Sequence, residues 1–349
     1  MTNQKESIEA ERAKSLFLHS EVVRPGITML TELKTIKVST VSEFQKIDVI
    51  ESAFGKVLVT DGKTQSAQND EFIYHESLVH PSLIQSGLLD GTSDQLSVFI
   101  GGGGELATAR EVLRHKSVKR IVMVDLDGKL IEVCKEFLPE WGGDRVASNP
   151  RFELIIGDAY AYLANCKEKF DVIIMDISDP IEAGPGIMLY TKEFYDHAKT
   201  LLNSPNGVFV TQAGFAGQLG FEDDVCYAAI ANTLKTTFDC VIPYTTYVPS
   251  FGSPWGFVMA FGCSQSTPPA SIITDFTRME RDQINKIVSE KITEIEDVGK
   301  EADAKNGSEV LKFYDGESHH AMFSLPKPLR LAIACDNRIM TKDNPIFMY

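Results

Sequence analysis

Val98-Phe99-Ile100-Gly101-Gly102-Gly103-Gly104-Glu105 is a short apolar run that enters four glycines and meets a carboxylate. An apolar run of this length reads as a buried strand. The glycines let the backbone turn sharply and let a ligand approach the chain closely. Thr108–His115 follows with a helix-like pattern, so the stretch predicts a strand–turn–helix unit. The same rhythm continues along the chain. Arg120–Val124, Phe152–Ile156, Phe170–Met175 and Gly207–Thr211 read as further strands. Helical patterns cover Lys129–Leu138, Tyr160–Cys166, Lys192–Leu202 and Asp223–Thr237. This alternation implies a doubly wound α/β fold, a parallel sheet with helices on both faces.

Residues 27–68 read differently. Lys34–Val41 and Phe44–Ile50 alternate apolar and polar residues, and the run Val57–Val59 is closed by the turn signal Asp61-Gly62. The expected organisation is an N-terminal antiparallel β domain over residues 1–70 and the α/β domain over 71–349. Near the far end, Asp275 to Lys305 is strongly charged and reads as an exposed helix with a loose end.

The chain has 349 residues and a formal net charge of −15, which argues against nucleic acid or an anionic membrane as partner. A cationic small molecule fits the sign, although such a charge also serves solubility. The polar start MTNQKESIEAERAK carries no signal-peptide pattern, and no run approaches the ~18 apolar residues of a membrane span. The six cysteines form no CxxC pair, which argues against a zinc site or a disulfide framework. The expectation is a cytoplasmic protein with no metal and no membrane.

Acids recur where strands end. Leu106 occupies the position of the third glycine in GxGxxG, and Glu105 stands in the turn, so a pyrophosphate fits poorly. A cation or a hydroxyl suits Glu105 better. Asp125, about 20 residues on, is placed to bind the two hydroxyls of a ribose, or is a solvated strand-end acid. In Ile156-Gly157-Asp158-Ala159, Asp158 can accept from an exocyclic amine while Ala159 offers an N–H to a ring nitrogen. A helix N-cap is the competing role for Asp158. Together these turns form the pattern of a nucleoside-sulfonium site. In Met175-Asp176-Ile177-Ser178-Asp179-Pro180, one carboxylate can take a proton from an amine and the other can hold an ammonium. A methyltransferase would also carry an acid there. Tyr74 and His75, in Asp70-Glu71-Phe72-Ile73-Tyr74-His75-Glu76, fall near the domain boundary, where either substrate contact or helix packing suits them.

Read together, these segments resemble the polyamine aminopropyltransferases, the spermidine and spermine synthase family. The order DG, Q, DEF.Y.E, GGG-acid, ARE, V-acid-x-D, GDA and DxSDP carries the resemblance from about Ile27 to Pro328. QSAQNDEFIYHESLVHP, Gly104-Glu105, DPIEAGPGIMLYTKEFY, TQAGFAG and VPSFGSPWGF look closest to the thermospermine synthase branch. The resemblance implies a Rossmann-like, class I methyltransferase-type domain behind a small β domain. It implies transfer of an aminopropyl group from decarboxylated S-adenosylmethionine to an amine, with 5′-methylthioadenosine as by-product and no prosthetic group.

Matched position by position, the resemblance makes Asp176 the catalytic acid and Asp179 its acceptor-holding partner. Glu105 matches the acid on the aminopropyl ammonium, and Tyr74 the tyrosine beside it. Asp125 falls on the ribose ligand, Asp158 and Ala159 on the adenine readers, and Gln45 and Gln65 on glutamines lining the cleft. Gly102, Gly103, Gly104 and Leu126 complete the donor site. His75 replaces a glutamine, and Ser250 stands where the family has a substrate-contacting tyrosine. Both changes resemble enzymes that take spermidine, so spermidine is the expected acceptor. Leu106 replaces the usual small residue after the acid. A homodimer or homotetramer is implied by the family.

Overall fold

The computed structural model describes residues 17–24, 26–90, 95–182, 184, 186–203, 206–217, 226–263, 268–295 and 307–348. The start of the helix expected from Asp223 and the loose end expected toward Lys305 lie outside these residues. The chain divides into two compact units, one ending at Asp70 and one beginning at Glu71.

The first unit is an antiparallel sheet in chain order: β1 (Leu18–Arg24), β2 (Ile27–Val41), β3 (Lys46–Ser52), β4 (Gly55–Thr60) and β5 (Lys63–Ala67). Thr60 pairs with Lys63 across Asp61 and Gly62, whose φ values are 49° and 79°. Positive φ at both central residues makes the tight, twisted hairpin turn that Asp-Gly favours. Ile50, Val57, Val59 and Ala67 pack into its small core. Strand β1 pairs with β2 from Leu18↔Glu32 onward and lies before the stretch from residue 27 expected to form strands.

The second unit opens with helix α1 (Glu71–Asp90). Pro81 lies inside this helix and removes the N–H that would reach the Ser77 carbonyl. The Tyr244 hydroxyl donates to that carbonyl instead, at 3.0 Å, so the helix runs on without an orphaned acceptor. There follow β6 (Leu96–Gly102), α2 (Ala107–Leu113), β7 (Val118–Asp125), α3 (Gly128–Phe137), α4 (Gly143–Ala147), β8 (Phe152–Ile156), α5 (Ala159–Asn165), β9 (Val172–Asp176), α6 (Lys192–Thr200), β10 (Val208–Phe215) and α7 (Cys226–Lys235). The sheet is completed by β11 (Cys240–Val248) and β12 (Ser253–Phe261), and among the described residues there follow α8 (Pro269–Thr277), α9 (Arg281–Lys291), α10 (Gly307–Val310), α11 (Gly316–Phe323) and α12 (Lys327–Cys335). Among the described residues, no helix is long and apolar enough to cross a membrane.

The seven strands lie in the order β11-β12-β10-β9-β6-β7-β8. From β8 to β10 all neighbours run parallel, whereas β12 is antiparallel to both β10 and β11. The sheet is therefore mixed, not wholly parallel as its rhythm suggested. Only a short turn, Pro249–Phe251 with Gly252 at φ 64°, joins β11 to β12, and so short a connection forces an antiparallel pair. Alternate residues of one strand reach opposite cores. Val98 and Ile100 join a cluster with Leu78, Ile174 and Val210, while Phe99 joins one with Val122, Ile173 and Phe209.

Strand order reverses between β6 and β9, the place where open α/β sheets leave a crevice at their carboxyl ends. There Gly102 pairs with Asp176, and the Gly103 N–H donates to the Asp176 carbonyl at 3.0 Å. Gly102 has φ 82°, and a Cβ on it would stand 2.0 Å from that carbonyl oxygen. Gly102→Ala is therefore expected to lower the unfolding free energy by at least about 2 kcal/mol, from clash and backbone strain together. Urea denaturation checks this; an unchanged midpoint would refute the close approach.

Candidate active site

Asp176 ends β9 with its carboxylate at the reversal point. Tyr74, on α1, donates to one carboxylate oxygen at 2.6 Å, and Thr108, on α2, donates to the other at 2.5 Å. Both oxygens are thus oriented by hydroxyls, from two separate helices. Burial, together with the negative charge of Glu105, raises the proton affinity of Asp176 above that of an ordinary aspartate. Burial and the same Asp176 keep the Tyr74 phenol protonated far above its usual range, so Tyr74 remains a donor. Its ring is held by Phe257, Phe251 and His75, with centroids at 5.4, 6.0 and 5.0 Å.

Glu105 stands half-buried in the turn between β6 and α2. His75 Nε2 lies 3.1 Å from its Oε1. On the other side of the ring, His75 Nδ1 lies 2.7 Å from the Glu71 carbonyl and 2.8 Å from Glu71 Oε2. Arg110 donates to that same Glu71 oxygen through Nη2 and to Glu111 through Nε, each at 2.8 Å. Arg114 closes the series on Glu111 at 2.9 Å. Burial opposes charge on His75, but hydrogen bonds to Glu105 and Glu71 outweigh it and raise the imidazole to about 10. Burial likewise works against the Glu71 carboxylate, and Arg110 with His75 draws it down to about 2. The His75 ring, expected at the substrate, is 0% exposed, and both its nitrogens face glutamates.

The ends of β7 and β8 come together beside the glycine turn. A Cβ on Gly104 would stand 3.0 Å from Asp125 Oδ2 and 2.9 Å from the Leu130 side chain, so the turn lies against the Asp125 carboxylate. The other Asp125 oxygen accepts the Asp127 N–H at 2.9 Å, and Gly157 N–H donates to the Asp125 carbonyl at 2.9 Å. That last bond joins the end of β7 to the turn carrying Asp158 and Ala159. Asp158 is exposed and caps α5 by accepting the Tyr160 N–H at 2.8 Å; Ala159 is buried and Leu126 half-buried. Leu106 adopts φ 74° with its side chain fully buried, an unusual conformation for leucine. Burial, with Glu105 adding repulsion, pushes Asp125 up to about 6.

Asp179 is placed by a residue that sequence reasoning passed over. Gln212, on β10, sends Nε2 to within 2.7 Å of the Ile177 carbonyl and 3.1 Å of Asp179 Oδ1. Its Oε1 accepts from Trp255 and from the Gly214 N–H. The Tyr190 hydroxyl, 2.6 Å from Gln212 Nε2, donates to the Ser178 carbonyl. These bonds fix the loop that carries Asp179. Ser250 is buried in the turn before β12, and the aromatic ring offered there is that of Phe251, 4.7 Å from Trp255 and 6.0 Å from Tyr74. Gln45 and Gln65 belong to the first unit, each half-buried, with Gln65 Nε2 donating to the Lys63 carbonyl.

Residues 71–268 match the family described as the spermine/spermidine synthase domain. A polyamine aminopropyltransferase of Sulfolobus acidocaldarius is 41% identical over 315 residues, 90% of this chain and 92% of that protein. A thermospermine synthase of Arabidopsis thaliana is 35% identical, over 95% of this chain and 87% of that protein. Among solved structures, a spermidine synthase in complex with the transition-state analogue AdoDATO superposes with a TM-score of 0.74 at 26% identity, covering 93% of this chain and 97% of that one.

The raised proton affinity of Asp125 has a stability consequence. A folded-state value near 6, above the ordinary aspartate value, means that its ionisation destabilises the fold, fully above about pH 6 and not at all well below pH 4. Asp125→Asn is therefore expected to raise Tm at pH 7.5, with the gain shrinking steadily as pH falls from about 6 toward 4. A Tm that falls at pH 7.5 contradicts this assignment.

Proposed function

The chain belongs to the spermine/spermidine synthase family, and from that premise we propose that it transfers the aminopropyl group of decarboxylated S-adenosylmethionine to spermidine, giving thermospermine and 5′-methylthioadenosine. The observation that carries the reading is the Asp176 carboxylate, held by the Tyr74 and Thr108 hydroxyls beside the turn that bears Glu105.

In this reading the donor lies along the carboxyl ends of β6, β7 and β8. Asp125 accepts from the ribose hydroxyls, Asp158 and Ala159 meet the adenine, and Gly102, Gly103 and Gly104 let the nucleoside lie against backbone. Glu105 takes the aminopropyl ammonium. The acceptor is a polycation, and a protonated amine is no nucleophile. Asp176 therefore receives the proton of one acceptor nitrogen, and its raised proton affinity suits that task. Asp179 holds a neighbouring ammonium. The freed nitrogen attacks the aminopropyl carbon bonded to sulfur; the N–C bond forms as the C–S bond breaks. The bonding pair passes to sulfur, which leaves as a neutral thioether. Positioning supplies much of the acceleration.

Charge also separates this reaction from methyl transfer. An intact S-adenosylmethionine would bring its own carboxylate toward Glu105, where the nearest cation, His75, is shared with Glu71. For the acceptor, support comes from the thermospermine synthase likeness and from the absence of a tyrosine at position 250.

Asp176→Asn keeps both hydroxyl contacts possible and removes the base. It is expected to lower kcat by a hundredfold or more, in the range general-base losses reach. Methylthioadenosine affinity, read by calorimetry, should stay within about threefold, about 0.7 kcal/mol. Wild-type turnover in this variant would end the assignment. With spermidine and putrescine in competition, chromatography is expected to show thermospermine as the main product; spermine in its place would move the alkylation to the other end of spermidine, preferential consumption of putrescine would replace the acceptor reading, and both would leave aminopropyl transfer standing.

A further inference from the structure

The DEF and ARE segments have no task in the chemistry above, yet they meet in the interior. Glu71 comes from the first and Arg110 and Glu111 from the second. Glu71, His75, Arg110 and Glu111 are all buried, and they form one line of alternating charge that ends on Glu105. Buried ions need such pairing, and breaking one link leaves its neighbour uncompensated.

The protonation of His75 follows from what its nitrogens face. Nδ1 lies 2.7 Å from a backbone carbonyl, which can only accept, so it carries a hydrogen. Nε2 lies 3.1 Å from the Glu105 carboxylate, which when ionised can also only accept. Two N–H groups make an imidazolium. Its charged surroundings are Glu71 on its own helix, Glu105 on the glycine turn, Asp176 at the end of β9 and, through Glu71, Arg110 on α2. Tyr74 beside it stays a neutral phenol. With Glu71 between Arg110 and His75, both cations have a partner, and the imidazolium holds Oε1 of the half-buried Glu105, whose other oxygen has no hydrogen bond among the described residues.

We propose that Glu71 and Arg110 are positioning residues for donor binding: they keep His75 protonated, and the imidazolium fixes the Glu105 carboxylate in the orientation that receives the aminopropyl ammonium. This rests on the reading of Glu105 given under the proposed function. The device explains why an active site built for cations holds a buried cation of its own. The imidazolium spends its charge on Glu71 and Glu105 and serves as a brace.

The test compares two ligands that share a nucleoside and differ in the aminopropyl group. For Glu71→Gln, calorimetry is expected to show decarboxylated S-adenosylmethionine binding about tenfold more weakly, with methylthioadenosine changed less than about twofold. Arg110→Lys, which keeps the charge and loses the fork, should fall between that variant and wild type. Equal weakening of both ligands in Glu71→Gln would reduce Glu71 to a structural role and overturn the proposal. Glu105→Gln separates the two levels. If it discriminates between the ligands and Glu71→Gln does not, the brace is wrong and Glu105 keeps its role; if Glu105→Gln fails to discriminate, the underlying reading falls. Should Glu71→Gln not fold, ¹⁵N resonances of His75 in the unaltered protein decide: an imidazolium at about pH 8 supports the brace, and a neutral ring there overturns it.

Discussion

The site depends on a single close approach of two backbones. Where strand order reverses, the Gly103 N–H reaches the Asp176 carbonyl, and Gly102 stands so near that a Cβ would fall 2.0 Å from that oxygen. This contact brings the turn that carries Glu105 against the end of the strand that carries Asp176. Helix α2 then starts beside β9 and delivers Thr108 to the same carboxylate. Glycine is required here for a steric reason that can be stated in ångströms.

The electrostatics follow from that geometry. Glu105, Asp125 and Asp176 are drawn toward one sheet edge, and burial with mutual repulsion raises the proton affinity of the two aspartates. Such crowding of like charges opposes ionisation of the buried aspartates. The fold limits the damage on one side only. His75, Arg110 and Arg114 compensate Glu71, Glu105 and Glu111 behind the turn, while among the described residues Asp125 accepts from a backbone N–H and Asp176 from two hydroxyls, with His75 also drawing Asp176 down. The net charge of −15 is thus less informative than the placement of a few of its carboxylates.

Much of this was legible in the sequence because the chemistry sits at the ends of apolar runs. Glu105, Asp125, Asp158 and Asp176 each follow a strand whose composition announces it, and the Asp61-Gly62 hairpin turn takes the conformation its residues favour. Features that join distant segments were not legible. Tyr74 and Asp176 are 102 residues apart, and nothing local tells Thr108, 68 residues before Asp176, from an ordinary start-of-helix residue. Gln212 reads as a polar residue in a strand until the loop with Asp179 closes over it. The β11–β12 hairpin changes the sheet from parallel to mixed through one short turn, and β1 carries no clear alternation. For His75, the place in the motif suggested substrate contact, while its burial between two glutamates gives it an internal partner on each side, which no local pattern announces.

The central claim is that Glu105 selects a donor by the charge at its far end. Equilibrium binding of S-adenosylmethionine and of its decarboxylated form tests it directly, because the two differ only in the carboxylate that would face Glu105. The decarboxylated form is expected to bind at least about tenfold more tightly, about 1.4 kcal/mol, in wild type. Equal affinity for the two donors, or preference for the intact one, would contradict the account.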